Sequence, residues 1–199
     1  MKLLISTNNL HKLQEYRALL EELPLSLTCL RDEGISTTVE EDGLTFEENA
    51  VTKARTYASL SGLLTLADDS GLEVDALGGE PGVFSARYAG PEATDRERVA
   101  YLLAKMQGIP WEKRRACFRC VIAIADPTSN LWVCEGRCEG FVALEPRGDR
   151  GFGYDPIFYL PDMALTMAEL APSKKNQISH RAQAAHEARK VLLELVSSK

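Results

Sequence analysis

The residues best placed to do chemistry lie in "LADDSGLEVDALGG", residues 66–79, where an apolar run ends on Asp68 and Asp69, followed by Ser70 and Gly71. Carboxylates at a strand end suit a hard cation such as Mg²⁺, which takes a few carboxylate oxygens and keeps waters and substrate phosphates. Successive side chains of an extended strand point to opposite faces, so only one of the two aspartates faces a given site and the other braces the turn. Glu40 or Glu41, in "TVEEDG", offers a second carboxylate. Taken alone, the cluster reads equally well as a polar strand end.

Two lysines raise the opposite question. Lys12 falls in the first turn of a helix that follows the polar turn "STNN". The free amides and positive dipole end there form an anion site, and the dipole disfavours a lone cation. A phosphate would reverse that penalty; an exposed surface lysine is the plain alternative. Lys53 shares the apolar face of a second helix with Phe46, Asn49, Ala50 and Tyr57. A buried lysine is costly unless an anion meets it, or unless its stem snorkels to water.

Two further stretches are unusual. "PRGDRGFGYDPIF", residues 146–158, sets Phe152 among glycines with Tyr154 and Asp155 just after. Glycine allows close backbone approach, and an aromatic held so suits stacking on a flat ring, although a plain loop closed by Asp155-Pro156 has the same composition. "SKKNQISHR" places Lys174, Lys175, His180 and Arg181 at the start of the last helix, against the dipole, or in a solvated basic loop. Cys117, Cys120, Cys134 and Cys138 imitate zinc-ligand spacing, but strand parity turns Cys117 and Cys120 to opposite faces, and buried small thiols are the better reading.

The elements needed to position these groups can be read from periodicity. "KLLIS" (2–6) is a short buried strand, and 10–23 a helix with Leu13, Tyr16, Leu20 and Leu23 along one side. A helix opens on the capping pattern Thr45–Glu48 and stops at Gly62; a buried strand follows at 63–67. A third helix spans 95–108, capped by Asp95 or Thr94. Two strands meet at "DPTSN" as a hairpin, and the last helix runs from about Ser179 to Val196. Helices mixed with such strands define an α/β protein with a mixed sheet.

Composition sets outer limits. The chain has 199 residues, 45% hydrophobic and 26% charged, with a formal charge of -6. That length suits one domain, 1–199, with a core that needs no disulfides or structural metal. The negative balance argues against broad nucleic-acid binding while leaving room for a small anion held with a metal ion. No apolar run approaches the roughly 18–20 residues that span a bilayer, and "MKLLISTNN" is too short for a signal-peptide core, so the expected location is the cytoplasm, with reduced thiols.

In order along the chain, "TNNLHK", "GLTFEENAVTKA", "LADDSGLEVDALGGEPGVFSARYAG", "GFGYDPIF" and "ISHR" together resemble the inosine triphosphate pyrophosphatase family, over nearly the whole length. The resemblance implies a strongly twisted mixed sheet flanked by helices, with an active-site cleft between two lobes, and a homodimer. It implies Mg²⁺-dependent hydrolysis of ITP, dITP or XTP to the monophosphate and pyrophosphate, by attack of water at the α-phosphorus. It places Thr7, Asn8, Asn9, Lys12 and Lys53 on the phosphates, and Glu40 and Asp69 on Mg²⁺, with Asp69 as base. Ser70, Phe152, Gly153, Tyr154, Asp155, Lys175, His180 and Arg181 would hold the nucleoside. Asn8 stands where the family usually has glycine; asparagine tolerates the left-handed region well. Arg181 offers only donors, which suits the 6-oxo group of hypoxanthine and leaves donors unpaired opposite adenine's amino group. Rejection of guanine does not follow from it. A pyrophosphatase of other base specificity, or a non-catalytic nucleotide-binding module, would share much of this pattern.

Overall fold

The computed structural model describes residues 1–197. Its strands form one mixed seven-stranded sheet in the order β2-β1-β3-β4-β5-β6-β7. They are β1 (Lys2–Ile5), β2 (Ser26–Cys29), β3 (Leu64–Val74), β4 (Arg115–Ala125), β5 (Leu131–Val142), β6 (Phe158–Leu160) and β7 (Leu165–Thr166). β1 runs parallel to β2 and β3, and β6 antiparallel to β5 and β7. The helices are α1 (Leu10–Leu19), α2 (Phe46–Ser61), α3 (Asp95–Lys105), α4 (Pro172–Ile178) and α5 (His180–Ser197). Among the described residues, no helix is long and apolar enough to cross a membrane.

The chain forms two compact units, each assembled from separate segments. The first takes Met1–Asp69, Cys120–Gly136 and the segment from His180; the second takes Ser70–Arg119 and Arg137–Ser179. In the first, β1 alternates as a strand must: Leu3 and Ile5 join a core with Leu13 and Tyr16 of α1 and with Ala184, Ala185 and Ala188 of α5. Leu4 points the other way, to Leu30 and to Tyr57 of α2. Gly136 of β5 lies directly under α5, where an added Cβ would sit 2.1 Å from the His180 carbonyl oxygen. In the second unit, Leu72 and Val74 of β3 pack with Val99 and Leu102 of α3, with Met106 just after it, and with Phe118 and Phe158.

The caps explain where the helices stop and start. Thr45 and Glu48 form a capping box on α2, which ends at Gly62 in the left-handed region (φ 66°). Thr94 and Glu97 do the same for α3, making Thr94 rather than Asp95 the cap.

Three expectations need correction. The strand predicted at 63–67 continues through the acidic doublet to Val74, so Ser70 and Gly71 are strand residues, not a turn. The first helix ends at Leu19 rather than near residue 23, and the basic stretch before the last helix is itself a helix, α4, with Pro172 in its first turn. The turn around Asn8 forms with asparagine in place of glycine: among the described non-glycine residues only Ser129 and Ala164 have positive φ, so it needs no left-handed residue at position 8. All five cysteines are free and buried, and Cys120 and Cys134 share the first unit's core.

Candidate active site

In the first unit, β3 carries Asp68 and Asp69 to opposite faces, and each finds its own partners. Asp68 is buried, with Lys12 Nζ 2.9 Å and an Arg181 terminal nitrogen 3.4 Å from its Oδ2. Burial alone would raise the Asp68 carboxyl, but the charges of Lys12 and Arg181 outweigh it and hold the group well below the usual carboxylate range. Lys12, awkward at a helix start on sequence grounds, is thus met by a carboxylate from a strand more than fifty residues away.

Asp69 sits in a different field. Asn49 Nδ2 of α2 donates to its Oδ2 at 2.9 Å, and Asn49 Oδ1 accepts from the Gly43 amide at 2.9 Å. Burial raises the Asp69 carboxyl above its ordinary value, despite the opposing charges of Lys53 and Lys12. A carboxylate whose proton affinity is raised is a better base, and one with a fixed oxygen is a better-aimed one.

Lys53, one helical turn after Asn49, donates to the Asp68 carbonyl oxygen at 2.6 Å and to Glu41 Oε2 at 2.7 Å. Burial opposes its charge, yet Asp69, Glu41 and Asp68 together hold its pKa above the ordinary lysine value. The stem does not snorkel outward; it ends among anions. Glu41 is the acidic residue brought to this cluster, while Glu40 is exposed.

The turn before α1 is arranged by Asn9, whose Oδ1 accepts from the His11 and Lys12 amides, and by Thr7, whose Oγ1 accepts from the Asn9 amide. Asn9 is therefore the N-cap, occupying two of the amides that an anion would otherwise use. Asn8 is exposed and Ser70 half-buried.

Arg181, for which the resemblance implies a base-reading role, is buried among charged groups. Its side chain is 1% exposed, with one terminal nitrogen 2.6 Å from Glu15 Oε2 and the other toward Asp68. His180 beside it is also buried. Lys12, Asp68, Arg181 and Glu15 form a chain of alternating charge, and Tyr16 and Cys120 line it: Cys120 Sγ lies 3.8 Å from both the Tyr16 hydroxyl and Asp68 Oδ2. Burial and the neighbouring Asp68 push the Cys120 thiol up to about 12, which keeps it a neutral packing group.

In the second unit, Asp155 closes the glycine-rich loop on itself. Its Oδ2 accepts from the Phe152 amide at 2.9 Å and from Lys175 Nζ at 2.6 Å. Lys175 also lies over the Phe152 ring, 4.8 Å from its centroid. Gly151 (φ 74°) is required here, because a Cβ would fall 2.0 Å from Asp155 Oδ2. Tyr154 is buried, its hydroxyl donating to the Ser85 carbonyl at 3.0 Å.

Sequence reasoning singled out Asn49 and Lys53 from their face of α2 and left Asp68 as a brace. It missed Glu15 altogether. The spacing Lys12-x-x-Glu15 was the available signal, since residues three apart share a helix face.

Fold and site together define an α/β protein with buried lysines set against strand-borne carboxylates, an arrangement suited to a phosphorylated ligand. The sequence profile of the Ham1 family matches residues 3–191, and the chain belongs to that family. It is 48% identical to a dITP/XTP pyrophosphatase of Desulforamulus reducens, over 96% of both chains. Among solved structures it is similar to a HAM1 protein from Coxiella burnetii (44% identity, TM-score 0.89, covering 98% of this chain and 99% of that one). The Staphylococcus aureus Ham1 protein matches over 100% of both chains, with 38% identity and a TM-score of 0.87.

Proposed function

We propose that this protein is a nucleoside-triphosphate pyrophosphatase acting on ITP, dITP and XTP, in which water attacks the α-phosphorus and pyrophosphate leaves. The observation that carries this reading is Asp69: a buried carboxylate of raised proton affinity, oriented by Asn49 and flanked by Lys53. Asp69 orients the attacking water and accepts its proton. Lys12 and Lys53 hold the phosphates, and their fixed charge favours the more anionic transition state. Thr7, Asn8 and Asn9 form the turn that adjoins Lys12. Ser70 adjoins Asp69 and contacts the substrate.

The metal assignment rests on donor chemistry. Phosphohydrolases of this kind generally use a divalent cation, and Glu41 and Asp69 are hard oxygen donors of the sort that Mg²⁺ accepts. Among the described residues no group of three or more His, Cys, Asp or Glu could hold a metal by itself. That pattern fits an ion completed by substrate phosphates and water rather than an all-protein cage. We therefore assign Glu41 and Asp69 to Mg²⁺, with Glu41 in place of the exposed Glu40. Bound Mg²⁺ would neutralise phosphate charge and polarise water.

Phe152 stacks on the purine, in a loop shaped by Gly153, Tyr154 and Asp155, with Lys175 beside its ring. His180 and Arg181 serve in substrate recognition, Arg181 through Glu15 and Asp68, which it holds. The protein acts in the cytoplasm as a homodimer.

The test is pyrophosphate release from ITP, XTP, dITP, ATP and GTP, with and without Mg²⁺. The expected result is metal-dependent turnover of the first three, by orders of magnitude over ATP. Binding without release would make the chain a nucleotide-binding module, and equal turnover of ATP would remove the purine selectivity.

A further inference from the structure

The loop that presents Phe152 is tied down at two successive amides, by two different carboxylates. Asp155, inside the loop, accepts from the Phe152 amide. The next amide, that of Gly153, donates at 2.6 Å to Oδ2 of Asp95, the first residue of α3 and 58 positions upstream. Gly153 has φ 61°, a conformation that the backbone alone does not enforce. Asp95 is itself fixed: Arg98 donates to its Oδ1, and the same guanidinium donates to the carbonyl oxygens of Ala86, at 2.9 Å, and Ala93.

We infer that Asp95, held by Arg98, is a positioning residue for base recognition: its carboxylate fixes the Gly153 amide and so sets the attitude of the Phe152 ring. An ionised acceptor makes this a strong hydrogen bond, and the capping of α3 does not require it, because Thr94 and Glu97 already form the capping box. With the bond absent, the Phe152 amide remains on Asp155, but the peptide after it can rotate and the ring loses its single orientation. Nucleotide affinity then falls while the hydrolytic groups are untouched.

The inference rests on the reading of Phe152 as the base-stacking residue, and four variants separate the two. Asp95→Ala should raise KM for ITP about tenfold, as expected for one lost charge-assisted bond, while kcat stays within about threefold. Asp95→Asn keeps one acceptor, which can meet the Gly153 amide but not Arg98 as well, and should raise KM less than Asp95→Ala does. In a Phe152→Ala background, itself of raised KM, adding Asp95→Ala should change KM less than about twofold, because the group it positions is gone. Wild-type KM in Asp95→Ala, equal impairment by Asn and Ala, or full additivity with Phe152→Ala overturns the positioning role and leaves the stacking role standing. An unaltered KM in Phe152→Ala overturns the stacking role and the inference with it.

Discussion

Adjacent residues on one strand are given opposite electrostatic fates, and this division governs what each can do. Asp68 looks toward Lys12 and Arg181 and is locked in the ionised form, so it cannot act as a proton acceptor near neutral pH. Asp69 looks toward Asn49 in a buried setting and keeps a raised proton affinity. Replacing Asp69 by Asn should lower kcat by about 10² to 10⁴, the span typical of a lost general base, with far-UV circular dichroism unchanged. The acidic limb of the wild-type kcat/KM profile should disappear from the residual activity of Asp69→Asn. A persisting limb would assign it to another group. Glu41→Gln should raise the Mg²⁺ concentration needed for half-maximal activity, whereas Glu40→Gln should not. The reverse pattern would return the metal to Glu40.

At the scale of elements, α5 comes into contact with β5 only because residue 136 has no side chain. An alanine Cβ there would lie 2.1 Å from the His180 carbonyl oxygen and 2.3 Å from the Ala184 nitrogen, both backbone atoms that cannot swing away. Gly136→Ala should cost about 1–3 kcal/mol, as overpacking does. Because α5 begins with His180 and Arg181, kcat/KM should fall as well. Denaturant unfolding and ITP kinetics on this one variant check both, and a fully stable, fully active protein would mean that the contact is looser than it stands. The same region shows what a sequence makes legible. Capped, periodic helices such as α2 could be placed to the residue, since Thr45, Glu48 and Gly62 are local signals. β2 (SLTC) is as short as β1 but lacks its continuous apolar run, and β6 and β7 are shorter still. The continuation of β3 through Asp68–Gly71 was hidden for a different reason: a buried acidic doublet looks like a strand end until tertiary partners supply Lys12 and Asn49. For the candidate site, residue types and helix faces were readable. The pairings that decide roles were not: Glu41 with Lys53, and Arg181 with Glu15 and Asp68, depend on segments brought together by the fold.

At the scale of the whole molecule, the two aspartates pull stability in opposite directions as pH changes. The folded pKa of Asp68 lies below its unfolded value, so its contribution is present above the ordinary carboxylate range and is lost as pH falls toward the folded value. Asp69 has the opposite sign. Its folded pKa lies above the unfolded one, so stability is greatest while both states are protonated and is lost as pH rises through the folded value. At neutral pH, in metal-free solution, the folded protein therefore carries an ionised Asp69 at a net cost. Asp69→Asn copies the protonated form and keeps an oxygen for Asn49, so its Tm at pH 7 should exceed that of the wild type. The difference should vanish at about pH 3.5, near or below the ordinary aspartate value. Asp68→Asn should behave oppositely, losing about 3 kcal/mol or more because Lys12 and Arg181 are left without their anion, with a flatter acid limb of stability. Thermal unfolding of the three proteins across this pH range provides the check. A wild-type Tm above that of Asp69→Asn at pH 7 would mean that Lys53 and Lys12 more than repay the burial of the charge. The expected order is that of a site in which the reactive group is held at the expense of stability.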